Sequence, residues 1–352
     1  MAEEHRPAPP EDGPRSGPAA TGNWRRRLAP YARADDRAAW GQILTSAPPF
    51  ALGWAAMVYA WDVHYVLVLL LAFPVSGFYL RLFLIQHDCG HGSFFSSQRA
   101  NRLLGHLLSV VSLTPFHYWR RTHGYHHAVH GDLDRRAFGD LHTLTVDEYL
   151  ALDLKGRFGY RLTRSLPILM VFGPLFQILL KHRFPWDMPR AWKREWRSVW
   201  GTNLGLALLL TLAVGSLGWV KFLGLAAPIF FIAWASAMWV LYVQHHFEHN
   251  YWAPHEAWTF EEAALEGTTF YDLPEVLHFF TADIGYHHIH HLSPKIPNYR
   301  LRSCFDAFPE LQDVKRLTLL ESLSCARCKL WDDSKGRMVG FDELPSMTAG
   351  RS

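Results

Sequence analysis

Four apolar segments separated by short polar breaks define the architecture that the sequence predicts. They cover residues 47–61, 65–86, 201–219 and 222–243. A helix needs about 20 residues to cross the hydrocarbon core of a bilayer, so each segment, with its neighbouring residues, can form a span. Polar breaks at 62–64 and 218–221 join the segments in pairs. The pattern therefore predicts an all-α integral membrane protein with four transmembrane helices in two hairpins.

Two further apolar segments are less suited to crossing a membrane. Residues 103–114 are apolar over about half of a span, which favours a re-entrant or interfacial piece. Residues 166–180 contain Pro167, Gly173 and Pro174 within a basic region, and we expect an interfacial helix there.

Positive charge is concentrated on one side of this arrangement. The chain of 352 residues has a net charge of only +3, but the connection between the second and third spans is rich in Arg and Lys. The two hairpin turns contain Lys221 as their single basic residue. Because basic loops are retained in the cytoplasm, the sequence predicts that this connection and both termini are cytoplasmic.

The sequence divides into three regions. Residues 1–22 are polar and rich in Pro, Gly and Arg, and they are predicted to be a disordered tail rather than a signal peptide. Residues 23–310 are predicted to form the membrane domain with a cytoplasmic helical cap, and 311–352 a C-terminal cytoplasmic tail. The four cysteines form no disulfide framework, which agrees with a reducing compartment. Cys325 and Cys328 are interpreted as an incidental pair of thiols.

Histidines are clustered in three boxes: His87 to His91, His123 to His127 and His287 to His291. On a helix, positions i, i+3 and i+4 share a face, so three imidazoles of the third box are expected to reach a common ion. His288 lies about 100° aside. Eight suitably spaced histidines exceed what one ion binds, so two ions are predicted. Imidazole ligands suit iron, zinc, copper or nickel.

The order HDCGH, HxxHH, HHIHH resembles that of the membrane fatty acid desaturases, which are histidine-box di-iron enzymes. The likeness covers roughly residues 40–301. Further segments resemble the bacterial acyl-lipid branch of that family, namely GDLDRR at 131–136, TLT at 143–145, YVQH at 242–245, AALEG at 263–267 and PKIPNYRL at 294–301.

The resemblance implies two iron ions and a set of nine ligands. The boxes supply eight of these, and the ninth is expected at the end of the fourth span, where the likeness at Gln244 and His245 favours His245, with His249 as the alternative. The implied ligands are His87, His91, His123, His126, His127, His245, His287, His290 and His291. His130 is not expected to be a ligand, and at most it lies beside the ligand histidines. Four acidic residues are candidates for orienting imidazoles or for ordinary capping roles: Asp88, Asp134, Glu248 and Asp283.

The resemblance also implies a reaction, which is the O2-dependent formation of a cis double bond in a fatty acyl chain. The acyl group is carried by a lipid, by CoA or by a carrier protein. No separate acid or base is assigned, and no nucleic-acid partner is expected. Because the sequence has no haem-binding loop and no ferredoxin-type cysteine run, electrons are expected from a separate ferredoxin-like or flavodoxin-like protein on the basic face. The expected location is a bacterial inner membrane, with the active site cytoplasmic.

The sequence leaves two alternative functions open. The same centre in a hydroxylase or a carotenoid ketolase would insert oxygen instead of removing hydrogen, and the spacing of the boxes does not separate these reactions. A histidine-rich metal transporter would need ionisable residues along its spans. The spans are nearly free of such residues, with Arg81 the main exception.

Overall fold

The computed structural model describes residues 24–136 and 141–344. The predicted N-terminal tail, 1–22, and the end of the predicted C-terminal tail, 345–352, lie outside the described residues. The α-helices are α1 Trp24–Leu28, α2 Asp36–Leu44, α3 Ala47–Trp61, α4 Tyr65–His91, α5 Gln98–Val111, α6 Phe116–Val129, α7 Val146–Ala151, α8 Leu154–Thr163, α9 Gly173–Phe176, α10 Lys193–Leu217, α11 Trp219–His245, α12 Phe260–Leu265, α13 Glu275–Phe280, α14 His287–Leu292 and α15 Asn298–Ala307. The strands are β1 Phe270–Asp272, β2 Arg316–Thr318, β3 Leu330–Asp332 and β4 Arg337–Val339.

Four helical units of the described chain are long and apolar enough to cross a membrane, which confirms the predicted number of spans. They are Asp36–Trp61, which joins α2 and α3, together with α4, α10 and α11. Helix α8 and the segment Ile168–Lys181 form a pair bent by 65°. Two π-helical turns flank α9 in this segment. Length and composition also suit a broken span or a re-entrant segment here, so the interfacial helix stays a prediction.

The turns of the two hairpins lie side by side at one end of the bundle. Lys221 Nζ lies 2.8 Å from Asp62 Oδ2, and the hydroxyl of Tyr65 donates a hydrogen bond to the carbonyl of Gly224 at 3.1 Å. Gly218 begins the second turn with φ +76°, a backbone conformation that favours glycine. Since α4 and α11 both start at these turns, their histidine-bearing ends meet at the opposite end of the bundle.

The spans pack on one another through buried apolar side chains. Met57 of α3, Val68 and Ala72 of α4, and Leu225 and Ile229 of α11 form one buried cluster. Outward faces of the same helices expose large apolar side chains, including Leu52 and Leu212. Such faces are stable against lipid, where all backbone polar groups must be paired within the helix.

A polar cap covers the histidine end of the bundle. It contains α6, α12 to α15 and two short strand pairs. Strands β1 and β2 pair in parallel, with Tyr271 opposite Leu317, and β3 and β4 form an antiparallel hairpin. The predicted class, a helical membrane protein with four spans, is confirmed, the cytoplasmic position of the cap stays a prediction, and the two strand pairs are an addition.

Residues 311–344 of the predicted C-terminal tail are folded against the rest of the cap. The amide of Trp331 donates to the carbonyl of Leu144 at 3.0 Å, and the hydroxyl of Tyr242 donates to the carbonyl of Cys328 at 2.6 Å. All four cysteines are free and buried. The boundary at residue 310 stays a prediction, but the chain beyond it holds the end of α11 in place.

Candidate metal centre

The first box occupies the last turn of α4. Helix α4 ends at His91, followed by Gly92 in the left-handed conformation with φ +67°. Asp88 fixes the imidazole of His87, because its Oδ1 lies 2.9 Å from His87 Nδ1. Its Oδ2 accepts a hydrogen bond from the amide of Asn298 at 2.6 Å. A carboxylate in this position leaves His87 Nε2 directed towards the centre.

The nine predicted ligands come together in two adjacent groups. In each group the ring nitrogens lie within 4.8 Å of one another. We call the first group N5 and the second group N4. Group N5 contains His87, His91, His123, His127 and His290, and group N4 contains His126, His245, His287 and His291.

Each of the second and third boxes is divided between the two groups. In α6, His123 and His127 belong to N5 and His126 to N4, whereas α14 places His290 in N5 and His287 and His291 in N4. The expectation that the third box reaches a common ion is therefore corrected. On a helix, positions i and i+4 are about 40° apart, while i+3 lies about 60° to the other side of i. The i, i+4 pair consequently shares one group and the i+3 residue enters the other.

Distances within N5 are those expected around a shared cation. His123 Nε2 lies 3.0 Å from both His87 Nε2 and His127 Nε2, and His127 Nε2 lies 3.1 Å from His290 Nε2. A ring nitrogen offers either one proton or one lone pair, so hydrogen bonds cannot satisfy this chain of contacts. With metal–nitrogen bonds of about 2.1 Å, neighbouring ligands at right angles are about 3.0 Å apart. The residues fit a metal.

Group N4 has the same character and touches N5. His287 Nε2 lies 2.9 Å from His245 Nε2, and the rings of His127 and His291 stack at 4.2 Å across the two groups. His91 Nε2 and His291 Nε2 are buried and have no hydrogen-bond partner among the described residues. Because buried polar atoms are normally paired, these nitrogens point to an ion as the missing partner.

Five box histidines of α6 and α14 have pKa values below the usual value for histidine. Burial, and then the neighbouring imidazoles, hold the pKa of His123 and of His127 well below the usual value for histidine. The pKa values of His287, His290 and His291 are lowered for the same two reasons. Neutral imidazoles keep a lone pair for a metal.

The structure distinguishes the two candidates at the end of the fourth span. His245 is buried and lies in N4, whereas His249 is exposed at the surface. His246 turns away and stacks on Tyr242 with ring centroids 4.6 Å apart. His288 is fully buried outside both groups and lies against Phe305 at 5.9 Å.

Trp119 lies beside the centre and was not expected there from the sequence, whereas His130 lies beside the ligands, the place expected for it. Trp119 stacks on His123 with ring centroids 4.4 Å apart and an interplanar angle of 18°. His130 Nε2 lies 3.2 Å from His245 Nδ1 and 2.7 Å from the carbonyl of Gly267. The i, i+4 spacing of Trp119 from His123 on one helix is the signal that could have found it.

Of the four acidic candidates, Asp88 is the one that contacts a box histidine. The carboxylate of Asp134 accepts from the amide of His255, and Glu248 pairs with Arg337. Asp283 faces His278 and Arg302.

Comparison with known proteins decides the family. The fatty acid desaturase family model matches residues 64–319. A fatty acid desaturase of Bacillus subtilis (strain 168) is 38% identical over 316 residues, which are 90% of this chain and 89% of that protein. The chain belongs to the fatty acid desaturase family. This confirms the resemblance seen in the boxes and the prediction of an enzyme that desaturates fatty acyl chains.

Plant desaturases are also similar to this chain, with lower identities. A probable fatty acid desaturase of Sorghum bicolor is 32% identical over 290 residues, covering 75% of this chain and 68% of that protein. An sn-2 acyl-lipid omega-3 desaturase (ferredoxin) of Arabidopsis thaliana is 31% identical over 246 residues, or 64% of this chain and 51% of that protein.

Proposed function

We propose that N5 and N4 each hold one iron ion and that the enzyme uses this pair to convert two neighbouring methylenes of an acyl chain into a cis double bond. The observation that carries the proposal is the pair of adjacent imidazole groups, with nitrogens spaced as ligands of a shared cation. Imidazole ligands suit iron. When bound, iron and dioxygen supply the oxidant for an unactivated C–H bond.

The chain's own residues orient the ligands. The carboxylate of Asp88 holds His87 by its Nδ1, so that Nε2 carries the lone pair. His130 lies beside His245 Nδ1 on the side away from the His287 contact. Such outer contacts fix the ring orientation and the tautomer of a ligand histidine.

An apolar cleft between α4 and α11 is our candidate for the acyl-chain site. It has a volume of about 710 Å³, and its walls include Gly77, Leu80, Ser236, Val240, Leu277 and Phe280. Leu80 precedes His87 by seven residues and Val240 precedes His245 by five, which correspond to about 10 Å and 8 Å along a helix. A lipid-embedded cleft that approaches the centre along both helices suits an alkyl chain whose middle must reach the two groups.

The proposed location is a bacterial inner membrane with the cap in the cytoplasm. The basic connection between the second and third spans supports this orientation. Electrons are proposed to come from a separate ferredoxin-like or flavodoxin-like protein. The ferredoxin in the printed name of the Arabidopsis relative supports this class of donor.

Expression in a host that lacks desaturases tests the reaction. Gas chromatography of the lipid acyl chains is expected to reveal mono-unsaturated chains that form only in the presence of oxygen. Purified protein is expected to hold close to two irons per chain. A hydroxylated product, or full activity with zinc and without oxygen, would contradict the proposal.

Narrowing the cleft tests the acyl site. Ser236 is an exposed wall residue of the cleft, so Ser236→Trp is expected to reduce desaturation of long chains more than that of short ones. Ser216 is exposed near the hairpin turns, and Ser216→Trp serves as the matched control. Equal product profiles in the two variants would exclude this cleft as the acyl site.

A further inference from the structure

The two histidine groups differ in their distance from the surface. All four histidines of N4 are buried, whereas His91 and His123 of N5 are partly exposed. Trp119 is also partly exposed and lies flat on His123. Its ring centroid is 5.4 Å from that of His87. Trp119 therefore provides an aromatic contact between the surface and N5.

Helix α4 holds the Trp119 ring in this position. A Cβ at Gly90 would lie 2.7 Å from Trp119 Cζ3, so the indole occupies the space beside α4 that any larger residue would fill. Phe83 packs on the ring edge with centroids 5.8 Å apart. Gly90 lies between His87 and His91 in the box, and the indole is consequently built into the wall of N5 rather than free on the surface.

Positively charged side chains lie near one another close to the first box. We call Arg102, Arg120, Arg194 and Lys295, together with Trp119, the basic face. The ammonium group of Lys295 donates a hydrogen bond to the carbonyl of His91 at 2.6 Å, which ties the face to the first box. Burial lowers the pKa of Arg120, and the charges of Arg194 and Arg102 lower it further. The pKa of Lys295 is lowered by burial and then by Arg120.

Glu195, the neighbour of Arg194 in the chain, is already paired. The carboxylate of Glu195 lies 3.2 Å from Arg121 Nη1, whose guanidinium also covers Trp192 at 3.8 Å. Arg194 uses its Nε to donate to His117 Nε2 at 3.1 Å, which is a neutral partner. The mutual repulsion of the basic face is thus left for an external anionic surface to relieve.

We propose that an acidic one-electron carrier protein docks on the basic face and delivers electrons to N5 across the contact of Trp119 with His123. This inference rests on the proposed function and adds the location of the partner. Each double bond consumes one O2, two electrons and two protons, takes two hydrogen atoms from the substrate and releases two waters. The carrier is therefore oxidised twice per turnover, which requires a small, rapidly exchanging interface of the kind used by redox partners.

The test measures how charge reversal changes the use of a defined donor. The iron-loaded full chain in lipid nanodiscs is supplied with acyl lipid, oxygen and a plant-type [2Fe–2S] ferredoxin kept reduced by its reductase. Arg102→Glu and Arg120→Glu are each expected to raise the KM for ferredoxin roughly 3- to 10-fold at low salt, with a smaller effect at about 0.15 M salt. Lys155 is exposed on α8, outside the basic face, and Lys155→Glu is the matched control.

A second donor separates docking from damage to the centre. Reduced methyl viologen is small and does not need a protein interface, so each ferredoxin rate is divided by the viologen rate of the same variant. This ratio is expected to fall for Trp119→Leu and to recover in Trp119→Phe, which keeps a ring on His123. Iron content is measured in every variant.

Two results would overturn the inference. One is a KM for ferredoxin that Arg102→Glu and Arg120→Glu leave at the value of Lys155→Glu. The other is an unchanged ratio in Trp119→Leu at normal iron content. Failure of the proposed function is separate, because the unaltered enzyme would then form no unsaturated product even with methyl viologen.

Discussion

His288 lies within the third box, yet its side chain is part of the hydrophobic core of the cap. It is 0% exposed and lies against Phe270 and Phe305, with ring centroids 6.4 Å and 5.9 Å away. Burial lowers its pKa to about 3, so the ring is neutral at physiological pH. We therefore expect His288→Ala to weaken the fold while leaving both histidine groups intact.

The size of the effect follows from the side chain that is removed. Truncating a large buried side chain to Ala costs about 2–5 kcal/mol. Because an imidazole is smaller and less apolar than a phenyl ring, about 2–3 kcal/mol is expected for His288. At roughly 2–4 °C per kcal/mol for a domain of this order of size, Tm should fall by about 4–12 °C.

Three measurements on purified protein test this expectation. Tryptophan fluorescence during heating gives Tm, metal analysis gives iron per chain, and product yield is determined well below Tm. His288→Ala should lower Tm and retain iron and turnover, whereas His287→Ala should lose iron and product. His142 is exposed, and its replacement by Ala should change stability by less than about 0.5 kcal/mol. Loss of iron in His288→Ala at an unchanged Tm would refute the core role and make His288 a ligand.

Further predictions concern the ninth ligand, its support and the metal. His245→Ala is expected to lower iron content and abolish product, whereas His249→Ala at the exposed position should retain both; the reverse result would move the ligand one turn along the chain. Asp88→Asn weakens the contact with His87 and should lower iron affinity roughly 10- to 100-fold in a chelator competition, whereas Asp134→Asn should leave it unchanged. Removing iron with a chelator should abolish activity and lower Tm, and adding Fe(II) should restore both; activity that survives complete chelation would argue against an iron centre.

Local patterns in the sequence determined the membrane architecture and the identity of most site residues. Span number and hairpin pairing follow from segment length and from polar breaks, because a helix in lipid must satisfy its backbone within one continuous segment. The boxes at His87, His123 and His287 are recognisable because helical spacing brings their imidazoles to one side of each helix. These are properties of ten to thirty consecutive residues, so no knowledge of tertiary contacts is needed.

Tertiary structure decided how those residues are combined. The packing of α6, α11 and α14 against one another decides which histidines of α6 and α14 enter N5 and which enter N4. The same packing buries His245 and leaves His249 exposed. Trp119 became part of the centre because Gly90 of another helix leaves room for its ring. The fold of residues 311–344 depends likewise on distant partners, such as Phe270 for Arg316. Such contacts are set by the packing of side chains that are far apart in sequence, which no local pattern records.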